Sequence, residues 1–382
     1  MMDIFINEIK NDSINIGHQD YYDDFHFLKP ILENKKFVFL GESNPCVKEY
    51  DVAKVNLIKY LHQQLGFNVL AFEGDFGDCI IGDFLSTDLD SMKFMFGSIG
   101  RIRSNEYILE LFDYIKETKQ QQPLQLTGID LNQNEDGHLS SFLRSQLPDN
   151  LKLILLEFEK RANEIIFDTR MMKRLRLRKE VEEIESIGNE FIKALEKHSF
   201  PTMTLRKITI RTVKNRLKLV KGAVKKSILK LFNYWDELKA ENLKYLSQVY
   251  PNEKFMIWAN NLDIMKKGSA SCFPSYKSTF ENLPHFIKET SYVLGLYAKE
   301  GQMIDDDEHH YPIKKASKKH LEWLLNHTPH QNCFIQCGLK WGQTKWKAFE
   351  GGNLRISFKP AEQYDGILYF KKVSPAYFSM KK

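Results

Sequence analysis

No run of about 18 uncharged apolar residues, the minimum for a transmembrane helix, occurs in this chain of 382 residues, and mean hydropathy is −0.42. A membrane span is therefore not expected. The opening MMDIFINEIKNDSINIGHQD has early acids and no basic segment leading into an apolar stretch, so no secretory signal is read and a cytoplasmic protein is expected. Cysteine is scarce and odd in number: Cys46, Cys79, Cys272, Cys333 and Cys337 read as reduced thiols, not a disulfide framework. Cys333 and Cys337 lack a second pair at zinc-ligand spacing and read as strand residues. Fixed-period repeats and low-complexity linkers are also missing. What is abundant is aromatic: 27 Phe, 16 Tyr and 5 Trp exclude a disordered chain.

The net charge of +5 hides a local imbalance. Leu205–Lys230 holds ten Lys or Arg and no acid, which suits either an acidic partner or the solvated face of a long helix. No nucleic-acid motif or interleaved aromatic pattern accompanies it, so nucleic acid is not the expected partner.

Four short apolar runs end in polar clusters. Lys36–Leu40 leads to Gly41-Glu42-Ser43, and Val69–Phe72 leads to Glu73 and Asp75. Leu124–Thr127 leads to Gly128 and Asp130, and Phe255–Ala259 leads to Asn260, Asn261 and Asp263. Uninterrupted apolar runs of this length suit strands buried on both faces. Helical patterns separate them: Lys48–Leu65 with Gly66 as its C-cap, Asp78–Leu85, Asn105–Gln120, then nearly everything from Asn150 to Tyr250. Strands return in SYVLGLYA, NCFIQCGL and GILYFKKV, with DDDEHHYP as an exposed loop. The alternation predicts an α/β protein with a partly parallel central sheet flanked by helices and a helical insertion. The expected organisation is 1–149, an N-terminal α/β half carrying the acidic motifs; 150–248, a basic helical insertion; and 249–382, a C-terminal half completing the sheet. Polar clusters at the carboxyl ends of strands mark the edge where α/β sheets place their sites.

The residues of these clusters resemble the erythromycin esterase family. Phe39-Leu40-Gly41-Glu42-Ser43 with Val47-Lys48-Glu49-Tyr50 and Lys54 is similar to its opening motif, and Leu65–Glu73 to its second. Thr127–Leu131 resembles the third; Asp236, Ala240, Glu241 and Asn242, then Trp258-Ala259-Asn260-Asn261, resemble a later helix and strand, and Tyr364–Phe370 the closing strand. The resemblance implies an α/β fold with helical additions and a deep cleft, in which a histidine activates water to open a macrolide lactone and glutamates shape the site.

The chain departs from that pattern at the chemistry. Against the family's Gly-Glu-x-x-His-Gly it has Gly41, Glu42, Ser43, Asn44, Pro45 and Cys46, so Pro45 stands where the base should be. Against His-Asn-x-His it has Asn260, Asn261, Leu262 and Asp263, and Trp235 replaces a basic residue before Asp236. Neither proline nor asparagine can take a proton near neutral pH. What persists is acidic. Glu42, Glu73, Asp130 and Asp263 are the candidate catalytic groups, since carboxylates crowded in one cleft raise a pKa enough for acid–base work. Glu49, Lys54, Asp75, Asn260 and Arg101 are candidate substrate contacts, with Arg103 beside Arg101 as a further anion-binding guanidinium.

Three readings stay open: a diverged enzyme acting by carboxylate chemistry on a small or peptide-like ester, amide or amine substrate; a silent relative binding a small molecule or an acidic partner; and a Mg²⁺ or Ca²⁺ site at the carboxylates. No cofactor is expected under the first two. Each acid also has a structural alternative: Glu42 as a helix cap, Glu49 as an ion-pair partner, Asp130 as a ligand of its own loop amides. Cys46 reads as a small packed residue before a nucleophile, and His138, His309 and His310 read as solvent-exposed loop residues.

Overall fold

Strands buried on both faces have no reason to alternate polar and apolar residues, and FVFL is such a strand, with all four residues buried. In the computed structural model the strands are β1 (Ile14–Asn15), β2 (Phe37–Leu40), β3 (Val69–Asp75), β4 (Gln125–Asp130), β5 (Phe255–Trp258) and β6 (Ser291–Ile304). They continue as β7 (His310–Pro312), β8 (Asn332–Gln336), β9 (Trp346–Glu350), β10 (Leu354–Phe358) and β11 (Gly366–Val373). The longer helices are α1 (Met2–Asp12), α2 (Lys48–Leu65), α3 (Phe76–Leu85), α4 (Ser91–Ile99) and α5 (Glu106–Thr118). After them come α6 (His138–Gln146), α7 (Asp149–Phe167), α8 (Arg174–Lys197), α9 (Met203–Lys225) and α10 (Ile228–Val249). The structure describes all residues except 18–23, 102, 132–136, 168–173, 226–227, 272–274, 306–307 and 379–382. The fold is α/β, with a mixed, mostly parallel sheet flanked by helices.

The residues cluster into two units. The first holds Met1–Ala71, Arg101–Gln125 and Lys244–Lys382; the second holds Phe72–Gly100 and Leu126–Leu243. The chain passes between them within β3, at Gly100–Arg101, within β4 and within α10.

In the first unit the strand order is β1-β8-β11-β6-β2-β5, with β7 on β6. The β11–β6, β6–β2 and β2–β5 pairs are parallel, whereas β1–β8, β8–β11 and β6–β7 are antiparallel. β9 and β10 form a separate antiparallel pair. β2 thus lies between two parallel neighbours, with Phe39 opposite both Ile257 and Val293. α2 runs over the span read from its periodicity and stops at Gly66, whose φ of 68° is the left-handed conformation that glycine adopts freely. His310–Pro312, expected as loop, is strand because it pairs with Gln302–Ile304 at the far end of the long β6; residues 306–307 of that loop lie outside the described residues.

Beyond the ends of β2 and β5 one side chain does the work of a ladder. Asn261 donates its backbone N–H to Glu42 O at 2.8 Å. Its fully buried carboxamide donates to Leu296 O at 2.9 Å and accepts from Leu296 N at 3.1 Å. Gly41 has to be glycine here, because a Cβ would lie 2.2 Å from Asn261 Oδ1.

The second unit is a helical layer on the ends of β3 and β4. Leu155, Phe158 and Ala162 of α7, Ile184, Phe191 and Leu195 of α8, and Val213, Leu217 and Val220 of α9 recur at helical spacing and share one core. The basic block of Leu205–Lys230 is not one solvated face. Arg216 is buried, Arg211 binds Asn242 Oδ1 and Glu241 O, Lys218 pairs with Glu241 and Lys221 with Glu185. Lys207 and Lys214 are exposed, and residues 226–227 lie outside the described residues.

Asn261→Ala strands a buried N–H and a buried C=O of Leu296, each worth about 1–3 kcal/mol when unsatisfied. A loss of about 2–5 kcal/mol is expected from urea unfolding, and Gly41→Ala should cost about 1–3 kcal/mol by overpacking. A loss below about 1 kcal/mol for Asn261→Ala would show that the bracket is dispensable.

Candidate functional site

Glu42 leaves the carboxyl end of β2 into a nearly dry setting, 2% exposed. A carboxylate there must be paired. Lys54, fully buried on α2, reaches its Oε2, and Trp258 Nε1 at the end of β5 donates to the same oxygen at 3.1 Å. The Lys54 ammonium also lies 3.8 Å from the Trp258 ring centroid, a cation–π contact. On the other side, Arg103 Nη1 is 4.0 Å from Glu42 Oε1 and is 24% exposed, the group through which this cluster meets solvent.

One helical turn before Lys54 sits Asp51, 1% exposed. It accepts from Asn105 Nδ2 at 2.8 Å, while Asn105 Oδ1 caps α5 by accepting from Tyr107 N and Ile108 N. Burial drives the Asp51 carboxyl up to about 8, against the pull of Lys54 and the Asn105 bond and with the push of Glu42. Burial likewise lowers the Lys54 pKa, opposed by Glu42 and Asp51. Near neutral pH this cluster therefore contains an acid that keeps its proton. Asp51 was not among the residues singled out from the sequence; the available signal was an acid three residues from a lysine within an otherwise apolar helix stripe.

The second motif meets the first through backbone. The short helix Asn261–Ile264 follows β5, and its Asn261 N–H holds Glu42 O, so Asp263, 8% exposed, and the partly buried Asn260 start beside the Glu42 loop. The loop at Pro45 is tied on all sides. Gly351 N donates to Ser43 O at 2.6 Å, Asn44 Nδ2 to Ile304 O at 3.2 Å, and Ala376 N to Cys46 O at 3.0 Å. Cys46 is buried with φ of 57°, where a residue with a Cβ is strained. That is the position at which the resembled motif has glycine.

In the second unit Glu73, Asp75 and Asp130 are each 3–4% exposed and each has a partner. Lys239 Nζ donates to Glu73 Oε1 at 2.8 Å. Asp75 uses Oδ1 to cap α3, accepting from Gly77 N and Asp78 N, and Oδ2 to accept from Arg216 Nη2 at 2.9 Å. Burial raises the Asp75 pKa against Arg216 and those amides. Asp130 Oδ1 accepts from Leu131 N of its own loop at 2.8 Å and from Trp235 Nε1 at 2.6 Å. Trp235 thus supplies a donor where the resembled family has a basic side chain.

The remaining expectations separate. Glu49 binds Ser374 N and Oγ with its two oxygens, at 2.7 and 2.8 Å. Arg101 is exposed, and Arg103 is the guanidinium beside Glu42. His138 corrects the reading of a solvent histidine: it is 7% exposed, its ring fills the space over Gly82 and Gly97, and Nε2 lies 3.0 Å from Phe94 O. His309 lies beside Asp305, and His310 Nε2 is 3.1 Å from Tyr377 Oη. Cys46, Cys79, Cys333 and Cys337 are buried free thiols; Cys272 lies outside the described residues. Among the described residues no group of three or more His, Cys, Asp or Glu is arranged to hold a metal ion, and no helix is long and apolar enough to cross a membrane.

A sequence model described as erythromycin esterase matches residues 62–373. The chain belongs to the erythromycin esterase family. The matched stretch begins after the Gly41–Cys46 motif. YbfO of Bacillus subtilis (strain 168), described as a candidate hydrolase, is 24% identical over 389 residues, 92% of this chain and 87% of that protein. Erythromycin esterase type II of Escherichia coli is 29% identical over 124 residues, 31% of this chain and 29% of its own. Among solved structures, a succinoglycan biosynthesis protein superimposes with TM-score 0.77 at 17% identity over 99% of both chains. A mutant erythromycin esterase in its open conformation gives 0.66 at 15% identity over 97% of both. At these identities the two structures establish the shared fold.

Because the folded state holds the Asp51 proton more tightly than the unfolded chain, whose Asp titrates near about 4, stability should fall as pH rises through the window up to about 8. Asp51→Asn keeps an acceptor for Asn105 and removes the titration. Its melting temperature is expected to vary less with pH between about 4 and 8 than that of the wild type; parallel profiles would refute the assignment.

Proposed function

We propose that this family member is a hydrolase that works with carboxylates in place of a histidine base, acting on a small or peptide-like ester, amide or amine substrate. The observation that carries the reading is the buried cluster in which Lys54 and Trp258 fix Glu42 Oε2, the partly exposed Arg103 lies beside Oε1, and Asp51 sits one helical turn before Lys54. Glu42 Oε2 is fixed by Lys54 and Trp258, and Oε1 faces the partly exposed Arg103. In this reading Arg103 orients the substrate's carbonyl or carboxylate, and Glu42 Oε1 takes the proton of an attacking water. Lys54 and Asp51 then hold the charge balance as Glu42 is protonated and returns that proton to the leaving group. Asp263, on the short helix after β5, is the further carboxylate of this unit assigned to substrate handling. The description of YbfO as a candidate hydrolase supports the reaction class.

A second reading has its own support. Glu42, Glu73 and Asp130 are all almost fully buried and engaged by donors, as in a relative that binds a small molecule without turning it over. An acidic partner on α9 rests on the exposed Lys207 and Lys214, because Arg211, Arg216, Lys218 and Lys221 are bonded within their own unit.

Loss of a general base costs about 10²–10⁴-fold in rate, so ring-opened erythromycin, followed by mass spectrometry, is expected at background. A screen of small esters, amides and aminoacyl compounds is expected to find a substrate. Glu42→Gln should then lower kcat by about 10²-fold or more, measured below its melting temperature, which is expected to fall because buried Lys54 loses its counter-charge. Ligand-induced thermal shifts without turnover across the screen would favour the binding reading instead.

A further inference from the structure

A second charge imbalance lies in residues 309–361, all within the first unit. This stretch has nine Lys or Arg and only two acids, Glu322 and Glu350, which are 1% and 3% exposed. Every one of the nine cations is exposed or half-buried, and among the described residues only Lys359 is ion-paired, with Glu362. The β9–β10 hairpin stands within this surface. We propose that the free edge of β10 docks an extended acidic segment of a partner protein. That segment alternates Asp or Glu with apolar residues and joins the hairpin as a further strand.

The register fixes which backbone groups are free. Lys347 N donates to Lys319 O at 3.0 Å and Phe349 N to Glu322 Oε1 at 2.6 Å, so both point away from β10. In an antiparallel pair, residues that point away alternate with residues that bond across. β9 therefore bonds β10 through Trp346, Ala348 and Glu350, opposite Phe358, Ile356 and Leu354. Arg355 and Ser357, opposite Phe349 and Lys347, turn their N–H and C=O groups to the other side, where β10 has no neighbouring strand. Neither residue has a backbone hydrogen bond there among the described residues. An unpaired edge of this kind is a template for another chain.

The side chains select what the edge takes. Directly opposed residues share a face, so Arg355 and Lys347 stand on one face of the hairpin and Leu354, Ile356 and Phe358 on the other. Lys314 adds a cation at the turn, where its Nζ donates to Asn353 O at 3.2 Å. A strand laid along β10 alternates in the same way. Every second side chain falls beside Arg355 and Lys347, and the others beside Leu354, which is 45% exposed. Acids set across from cations are favoured and like charges are not, so a second copy bringing its own basic hairpin is repelled. Nucleic acid fits less well, because Trp346, Phe349 and Phe358 are buried and the His320 ring stacks on Phe349, which leaves the hairpin no ring to offer a base.

Fluorescence anisotropy on the full chain tests this with three labelled probes: a short peptide of alternating Glu and Val, the same residues with every Glu placed before every Val, and single-stranded oligothymidylate. Saturable binding of the alternating peptide with a Kd below about 100 μM in about 50 mM salt is expected, the scale of a few main-chain hydrogen bonds and ion pairs. The other two probes are expected to bind about tenfold more weakly or worse. Arg355→Glu reverses the charge at an exposed position, and Ser357→Pro removes only an outward N–H. Each should weaken the alternating peptide about tenfold or more; if the proline variant fails to fold, Arg355→Glu decides alone. The proposal is overturned if the alternating peptide does not saturate, if either other probe binds as tightly, or if a folded variant binds unchanged. It is also overturned if sedimentation finds the free chain paired and Arg355→Glu monomeric, since a second copy then fills the edge. No arm needs hydrolytic turnover, so the result stands apart from the catalytic reading.

Discussion

An ammonium group can stay in a protein interior only where negative charge and π-electron density replace its water, and Lys54 has both. Glu42 supplies the charge and the Trp258 ring the π-electrons, at zero exposure, with the Asp51 carboxyl one helical turn away. Three elements meet on that one charge: the end of β2, the first turns of α2, and the end of β5. Asn105 extends the arrangement to α5 by binding Asp51 with its amide nitrogen and capping the helix with its oxygen. Removing any one charge leaves the others unbalanced in a dry setting, which costs far more than the pair contributes. The same logic recurs in the second unit, where Arg216 and Lys239 neutralise Asp75 and Glu73.

Much of the scaffold was legible because the physics is local. Phe37–Leu40 reads as a buried parallel strand from composition alone, and Lys48–Leu65 with Gly66 carries its periodicity and its stop signal. β7 was not legible, because three residues, His-Tyr-Pro, become strand only by pairing with the overhang of β6. The β9–β10 hairpin escaped for a related reason: it stands outside the main sheet and ends no polar cluster.

For the site, Glu42 and Lys54 could be picked out by motif, yet their pairing could not. Asp51 looks like any acid in the first turn of a helix until the covering Asn105 segment is known. Arg216 was hidden inside a basic block that reads as a surface, and its partner lies 141 residues away. His138 failed in the opposite sense, since only packing against Gly82 and Gly97 distinguishes a buried ring from a solvated one. Membership of the erythromycin esterase family accounts for the scaffold, and Pro45, Asn260 and Asp263 stand where the resembled motifs have histidines.

The depth of Asp51, Lys54 and Glu42 has a kinetic side as well as an energetic one. An exposed imidazole exchanges its proton with the medium without any rearrangement of the protein. A carboxyl with 1% of its surface in contact with water does so only when neighbouring side chains swing aside, so the charge state of this cluster should trail a sudden change in acidity at the tempo of those excursions.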